Sequence, residues 1–302
     1  MNAGSQGTVA AESDPSALNQ AVAAYYDTTL DLYEDMWGEH VHHGFWDPGQ
    51  SPGSTGADRH AACDRTVHEL ATFADLREGS RVLDVGCGIG GPAIILARDL
   101  QCTVDAITLS AAQVLRAEQK AQAAGVADRI RFRQLDMLSN DFQAESFDAV
   151  WALESLMHIP DRAAFFAEAI RVLAPGGTLA VASWCVRDGN LLDAEEAIHQ
   201  QVLRHQVMPR LQSIEEHEAL CRAAGFAAVA SADWSEAVRH SWDPGFAMVT
   251  PPEGGRDFIR DIARDKGVDV LGFFYAGPLM KRGFDTGVIT YGALRAAKPP
   301  TG

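Results

Sequence analysis

A short apolar run that breaks into closely spaced glycines constrains this chain more than any other feature. The run Val82–Val85 predicts a buried strand, and Gly86, Gly88 and Gly90 follow it at the spacing G-x-G-x-G. Glycine lets the backbone turn sharply and approach a ligand, because no Cβ stands in the way. A helical pattern begins at Ala93, so the turn leads into a helix N-terminus with free N–H groups. The segment therefore predicts a ligand-binding strand–turn–helix.

The spacing of these glycines differs from that of a nicotinamide dinucleotide loop. Such a loop has G-x-G-x-x-G, which leaves room for a pyrophosphate at the helix N-terminus. Asp84 lies inside the predicted strand, two residues before Gly86. Because a carboxylate there suits a cationic ligand better than a phosphate, the pattern argues against a nicotinamide-dependent oxidoreductase.

Charge and composition narrow the range of partners. The chain has 302 residues, with 25 Lys and Arg against 41 Asp and Glu, and a net charge of −16. Phosphate binding needs a basic surface, so we expect no nucleic-acid partner. We also expect no membrane span, since no run approaches the roughly 18 apolar residues that a membrane helix needs. Five scattered cysteines without C-x-x-C spacing indicate reduced thiols in a cytoplasmic protein. The composition leaves the oligomeric state open, a homodimer included.

Predicted strands and helices alternate along most of the chain. This alternation favours an α/β fold with a doubly wound, mostly parallel seven-stranded sheet. The predicted strands are Arg81–Val85, Thr103–Ile107, Ile130–Gln134, Phe147–Ala152, Thr178–Trp184, Phe226–Ala232 and Gly287–Ala296.

The remaining segments predict helical caps on a single domain. The first 20 residues are polar and rich in Gly, Ser and Ala, which predicts a flexible tail. Residues 21–75 form a predicted N-terminal cap, in which Tyr25 and Trp37 are candidates for contact with a substrate. Lid helices are predicted at residues 190–210 and 236–282, so that residues 21–302 make one domain.

Candidate ligand-binding residues follow the second and third predicted strands, because ligands bind beyond the strand ends of an open parallel sheet. Thr108, Leu109 and Gln113 follow the second strand, and Asp136 and Met137 follow the third. An amide can both donate to and accept from a diol, and a carboxylate can accept from an amino group. The alternative interpretation is structural: a solvent-facing glutamine beside a serine N-cap, and an aspartate that caps a short turn.

The string D-V-G-C-G-x-G-G resembles the first motif of class I S-adenosylmethionine-dependent methyltransferases. The string I-T-L-S-x-x-Q, from Ile107 to Gln113, is similar to the tocopherol, sarcosine and mycolic-acid cyclopropane branch of that family. The resemblance implies S-adenosylmethionine as cofactor. It places the methionine part at the glycine loop, the ribose at the second strand and the adenine at the third.

The fourth predicted strand leads into Trp151–Arg162, W-A-L-E-S-L-M-H-I-P-D-R. The segment resembles antibiotic-sugar O-methyltransferases of the rebeccamycin type, and the tocopherol enzymes. It predicts His158 as a general base that titrates near the ordinary histidine pKa of about 6.5; a packing histidine is the alternative. Glu154 is predicted to pair with a substrate cation or to orient the cofactor amine. Met157 stands where the sugar enzymes carry a second histidine, which keeps N- and C-methylation open.

Three histidines, His40, His42 and His43, lie close together near the N-terminus. Such a cluster is typical of a metal site, but no second Cys or His cluster in the sequence supplies further ligands. The segment resembles the G-D/E-H-x-H-H-G-F/Y motif of tocopherol methyltransferases, where it closes over the cofactor. We therefore predict a lid rather than a metal site, with His42 and His43 facing the cofactor or substrate.

Together these motifs predict methyl transfer from S-adenosylmethionine to a small-molecule acceptor, with S-adenosylhomocysteine as product. We expect O- or N-methylation of a natural product in bacterial secondary metabolism. Two alternatives stay open: C-methylation of an isoprenoid or phenolic ring, and a cyclase that retains the cofactor, because a fold does not fix a function.

Overall fold

The computed structural model describes residues 15–50, 56–243 and 270–301. Within these ranges, seven strands join in one sheet, as predicted. They are β1 (Arg81–Val85), β2 (Thr103–Thr108), β3 (Ile130–Gln134), β4 (Phe147–Leu153), β5 (Leu173–Val186), β6 (Ala227–Asp233) and β7 (Ile289–Ala297).

The strands lie in the order β3-β2-β1-β4-β5-β7-β6. Strand β1 pairs in parallel with β2 and β4, and the pairs β2–β3 and β4–β5 are also parallel. Strand β7 runs antiparallel to both of its neighbours, so the sheet is mostly parallel. The strand order reverses between β1 and β4, and ligands bind beyond the carboxyl ends of the strands at such a point.

The described helices are α1 (Pro15–Trp37), α2 (Gly56–Phe73), α3 (Gly91–Asp99), α4 (Ala111–Ala123), α5 (Arg162–Val172), α6 (Asp193–His205), α7 (Ile214–Ala223), α8 (Ser235–Val238) and α9 (Val270–Asp285). Of these, α3, α4 and α5 make the long connections that parallel strands need. No helix in the described part of the chain is long and apolar enough to cross a membrane.

The sheet separates two apolar cores, because successive side chains of a strand point to opposite faces. In β1, Val82 belongs to one core together with Val67 of α2, and Leu83 belongs to the other together with Phe165 of α5. All four side chains are fully buried. Burial of each one contributes about 1.5–3 kcal/mol, and the two cores hold the strand ends in fixed positions.

Helix α1 begins at Pro15 rather than near residue 21. The prediction of a flexible tail is therefore wrong for residues 15–20. Leu18 and Val22 are buried at a spacing that places them on one helix face, and proline is favoured at the first helical position. The second predicted lid, 236–282, is described only as far as residue 243 and again from residue 270.

Candidate active site

A cleft lies beyond the carboxyl ends of β1, β2, β3 and β4. Residues of α1 and of the segment before α2 also line it, so the N-terminal cap forms one wall. Most of the candidate residues line this cleft: His42, Gly86, Gly88, Thr108, Leu109, Gln113, Asp136, Met137, Glu154 and His158.

Some candidates lie outside the lining of the cleft. Gly90 is the N-cap of α3 and packs against α4 and β3, since a Cβ there would lie 3.0 Å from Ala117 and Phe132. Asp84 is buried within β1. Trp37 ends α1, but its side chain lies outside the described residues. Gly90 therefore shapes the glycine loop without lining the cleft.

Tyr25 faces away from the cleft, and the next residue along the helix faces into it. The Tyr25 hydroxyl lies 3.2 Å from that of Tyr33 and 3.3 Å from Oε1 of Gln206. Tyr26 lines the cleft instead. Adjacent helical residues point about 100° apart (3.6 residues per turn), so Tyr26 lines the cleft and Tyr25 does not, and a substrate contact by Tyr25 stays a prediction.

The glycine loop takes a backbone conformation that side chains rarely allow. Gly86 has φ 79° and Gly88 has φ 54°, both in the region that favours glycine. A Cβ on Gly86 would lie 2.3 Å from the Cβ of Ser155, whereas one on Gly88 would face Val41 at 3.7 Å. Gly86 is thus required by the close approach of the segment after β4, and Gly88 lies beneath Val41, in the segment between α1 and α2.

Asp84 supplies a buried carboxylate directly before this loop. It is 2% exposed, and its Oδ2 atom has no hydrogen-bond partner. Burial raises the pKa of Asp84 to about 7. A buried, unpartnered carboxylate is costly, and a cationic group near the glycine loop would satisfy it. Asp84 does not itself line the cleft, but a carboxylate directly before the glycine loop has the charge that suits the amino group or sulfonium of the expected cofactor.

The end of β2 presents a preorganised polar pair. The Thr108 hydroxyl donates to Oε1 of Gln113 over 2.6 Å, and both side chains are buried. Ser110 is the N-cap of α4, where it accepts from the Gln113 backbone N–H and donates to Asp27. The predicted serine cap is present, but the solvent-facing glutamine is wrong, because Gln113 lines the cleft.

Asp136 has two structural partners at the end of β3. Its Oδ1 accepts from the Leu138 N–H over 2.9 Å and caps a short 3-10 turn. Its Oδ2 accepts from Nδ2 of Asn19 over 2.7 Å. Asp136 and Met137 also line the cleft. The capping role and a ligand-binding role are compatible, because a carboxylate has about four acceptor positions.

Glu154 follows β4 with φ 52° and accepts hydrogen bonds from a ring of donors. The His43 backbone N–H lies 2.7 Å and the Tyr291 hydroxyl 2.9 Å from Oε1. The His43 Nδ1 atom and the Trp184 indole lie 2.9 and 3.0 Å from Oε2. Burial opposes ionisation, but His43 outweighs this effect and holds the pKa of Glu154 below its usual value.

This network also fixes the proton on His43. The Trp242 indole N–H can only donate, and it lies 2.5 Å from Nε2 of His43. Nε2 of His43 must therefore accept this hydrogen bond. The ring proton lies on Nδ1, which donates a hydrogen bond to Glu154. His43 accordingly positions the carboxylate and does not line the cleft, so its predicted contact with a ligand is indirect at most.

His158 lines the cleft beyond β4 and meets a hydroxyl from the opposite wall. Its Nε2 atom lies 2.9 Å from the Tyr26 hydroxyl, and the two rings pack edge to face. Burial lowers the pKa of His158 to about 4. The expected titration near 6.5 is therefore wrong for this structure, and the imidazole is neutral at physiological pH. A neutral imidazole beside a hydroxyl can accept a proton.

The nitrogen atoms of the three clustered histidines are occupied by hydrogen bonds. His40 contacts Asp64 and His42, while His43 is held by Glu154. Within the described ranges no group of three His, Cys, Asp or Glu side chains is arranged to hold a metal ion. The segment packs on the glycine loop, since a Cβ on Gly91 would lie 2.6 Å from Nδ1 of His40.

Several cleft residues were missed by the sequence reasoning. Asn19, Val22, Ala23 and Tyr26 of α1 line the cleft. Their spacing is that of a single helix face, and this pattern could have identified them once α1 was extended to Pro15. The donors around Glu154 that come from distant strands and turns have no comparable signal in the sequence.

A family model described as a methyltransferase domain matches residues 82–177. Tocopherol O-methyltransferase of Arabidopsis thaliana is 32% identical, over 98% of this chain and 87% of that protein. The 27-O-demethylrifamycin SV methyltransferase of Amycolatopsis mediterranei is 38% identical, over 72% of this chain and 77% of that protein.

Solved structures also resemble the chain. The [4+2]-cyclase SpnF superposes with a TM-score of 0.78 at 29% identity, over 94% of this chain and 97% of that one. Geranyl diphosphate C-methyltransferase from Streptomyces coelicolor has a TM-score of 0.72 at 20% identity, over 93% and 98% of the two chains. The second likeness shows the fold alone.

Proposed function

Because the chain belongs to the class I S-adenosylmethionine-dependent methyltransferases, we propose that it methylates a hydroxyl group on a largely apolar natural product. The observation that carries the proposal is the neutral, buried imidazole of His158 at the cleft, with Tyr26 on its Nε2 atom. The relatives named for tocopherol and 27-O-demethylrifamycin SV support an oxygen acceptor of this kind.

The cofactor part of the proposal assigns each polar group of the cleft. The sulfonium of S-adenosylmethionine supplies an electrophilic methyl group. The glycine loop and Asp84 would hold its methionyl part, Thr108 and Gln113 its ribose, and Asp136 its adenine, with the Leu109 and Met137 backbones alongside. The paired hydroxyl and amide at β2, 2.6 Å apart, are ready to share hydrogen bonds with a diol.

On the acceptor side, His158 removes the proton that a hydroxyl must lose. In the structure its Nε2 atom contacts Tyr26, so an acceptor hydroxyl would displace or join the tyrosine hydroxyl at that nitrogen. Burial keeps the imidazole unprotonated, so Nε2 is available as an acceptor, and the positive charge lost from the sulfonium during transfer favours removal of the hydroxyl proton. Tyr26 would orient the ring and the acceptor together.

The remaining contribution of the protein is alignment and exclusion of water. The wall formed by α1 presents Val22 and Ala23, and the wall beyond β4 presents Ile159 and Pro160. These apolar side chains favour an acceptor with a hydrocarbon surface around the reacting hydroxyl.

The test uses S-adenosylmethionine labelled with ¹³C in the methyl group and a panel of hydroxylated macrolides, phenols and amines. We expect S-adenosylhomocysteine release with hydroxyl acceptors, and the ¹³C chemical shift of the product should be that of a methoxy group. Label on nitrogen or carbon alone would overturn O-methylation. Wild-type protein that binds no S-adenosylhomocysteine would overturn the family function itself.

A second candidate is C-methylation or cyclisation through a cationic intermediate. Glu154 lines the cleft as a carboxylate, and the Tyr291 hydroxyl and the Trp184 indole N–H hold it by hydrogen bonds. A fixed anion stabilises positive charge that develops near it, and SpnF is described as a cyclase. This candidate predicts a product with a new C–C bond and a turnover that depends on Glu154 more than on His158.

A further inference from the structure

The lid histidines form a chain of hydrogen bonds from the protein surface to the cleft. Asp64 of α2 is 45% exposed, and its Oδ1 lies 2.6 Å from Nε2 of His40. Nδ1 of His40 lies 3.0 Å from Nε2 of His42, and Nδ1 of His42 lies 3.0 Å from the His43 carbonyl. Both rings are buried, and His42 lines the cleft.

The number of protons that these hydrogen bonds require gives the two imidazole rings a net positive charge. The His43 carbonyl only accepts, so Nδ1 of His42 must carry a proton. The carboxylate of Asp64 only accepts, so Nε2 of His40 must carry another, and the contact between the two rings needs a third. Three protons on two imidazoles make one positive charge, shared by His40 and His42.

The charge shared by the two rings lies away from the cleft, because His42 is neutral. Burial, and then the charge of His40, lower the pKa of His42 to about 3. The hydrogen bond from His40 holds the pKa of Asp64 below its usual range. The positive charge that the proton count requires therefore lies beside the half-exposed carboxylate of Asp64, and His42 lies between it and the cleft.

The cleft otherwise has little positive charge. Among the described residues that line it there is no lysine or arginine, whereas Asp136 and Glu154 are both present. His158 is neutral because burial lowers its pKa to about 4. The His40 ring packs against Gly91, the first residue of α3, where the helix dipole adds to a positive potential.

We propose that the Asp64–His40–His42 chain supplies the counter-charge for the α-carboxylate of the cofactor. The inference rests on the proposed function, since it assumes that the methionyl part lies at the glycine loop. His40 and Asp64 are positioning residues, and His42 is the residue that faces the carboxylate. As this anion enters, the shared proton can move toward His42, because the negative charge stabilises an imidazolium on that side.

The experiment compares S-adenosylhomocysteine with its decarboxylated analogue by titration calorimetry. For His40→Gln we expect about tenfold weaker binding of S-adenosylhomocysteine, on the scale of one charge interaction, and little change for the analogue. Asp64→Asn, at a half-exposed position that tolerates an isosteric change, should show the same preference more weakly. His68→Gln is the matched control, because His68 forms a similar pair with Asp99 on the surface.

Nitrogen NMR of the wild-type imidazoles gives an independent readout. One ring of the pair should be doubly protonated without ligand, and this signal should disappear in His40→Gln. Equal loss of affinity for both ligands would show that the Asp64–His40–His42 hydrogen bonds have only a structural role, and would overturn the proposal. An NMR spectrum in which both rings are neutral would also overturn it. Either result leaves the proposed function intact, whereas wild-type protein that binds neither ligand would overturn both.

Discussion

The two halves of the cleft are built in different ways. The proposed cofactor half consists of the glycine loop and the ends of β2 and β3, where the pairs Thr108–Gln113 and Asp136–Leu138 each lie at one strand end. The acceptor half brings His158 against Tyr26, residues 132 positions apart, and Glu154 against Tyr291, 137 positions apart. The first half is set mainly by the strand ends, and the second depends on contacts between segments that are distant in the sequence.

This difference predicts that cofactor affinity and catalytic turnover depend on different residues. Groups at the strand ends are preorganised by the two cores before any ligand arrives. The acceptor half depends on α1 and the segment around His43, which lie on the opposite wall. Changes in one half should therefore affect cofactor affinity, and changes in the other should affect turnover.

The largest effect is expected from His158→Ala with a hydroxyl acceptor. Turnover should fall by roughly 10²–10⁴-fold, the range for a lost general base, while the Kd for S-adenosylhomocysteine stays unchanged. Steady-state kinetics and calorimetry on the same preparation check both values. A loss confined to KM would indicate positioning, and unchanged kinetics would make His158 a packing residue.

The second prediction concerns the cofactor half. Gly88→Ala should weaken S-adenosylhomocysteine binding by up to about 3 kcal/mol, because the new methyl group lies beneath the lid where the cofactor approaches. Gly125→Ala is the matched control, since Gly125 also has positive φ, 71°, and a Cβ there meets nothing within 4 Å. Equal affinity of the two variants for S-adenosylhomocysteine would contradict the assignment of the glycine loop to the cofactor.

The sequence identified residues at the strand ends better than contacts between distant segments. Most residues that the motifs at β1, β2 and β3 name line the cleft, because strand ends in a parallel sheet share one edge. Tyr26 was passed over for Tyr25, and the low pKa of His158 was not foreseen. Both depend on burial between distant segments, which local spacing does not encode.

Asp136→Ala should have a smaller effect on cofactor affinity, about 1–3 kcal/mol, the cost of leaving a buried donor unpaired. The variant also removes the cap of the turn that follows β3 and the partner of Asn19. Asn19→Ala removes the second contact alone and serves as its control. If Asn19→Ala weakened binding as much as Asp136→Ala, the helix contact rather than the adenine would explain the loss.

The pH dependence of kcat/KM should be weak across the physiological range. His158 is the free base above its pKa of about 4, so activity should rise with pH through about 4 and stay level from about 6 to 8. A single inflection near 6.5 would show that the imidazole is more exposed in solution than in this structure.

The smallest effect is expected from removal of metal ions. Chelation should leave methyl transfer unchanged, since the nitrogen atoms of His40, His42 and His43 are engaged in hydrogen bonds. Elemental analysis should find no stoichiometric zinc. Activity that is lost on chelation and restored by zinc would contradict the lid hypothesis and indicate a metal-assisted mechanism.

Mass balance with trideuteromethyl S-adenosylmethionine tests the central claim most directly. For an accepted substrate, we expect one S-adenosylhomocysteine for each acceptor consumed, and a product that carries the deuterated methyl group. An acceptor converted into a product of the same mass, with the cofactor unchanged, would contradict methyl transfer and identify a cyclase on this fold.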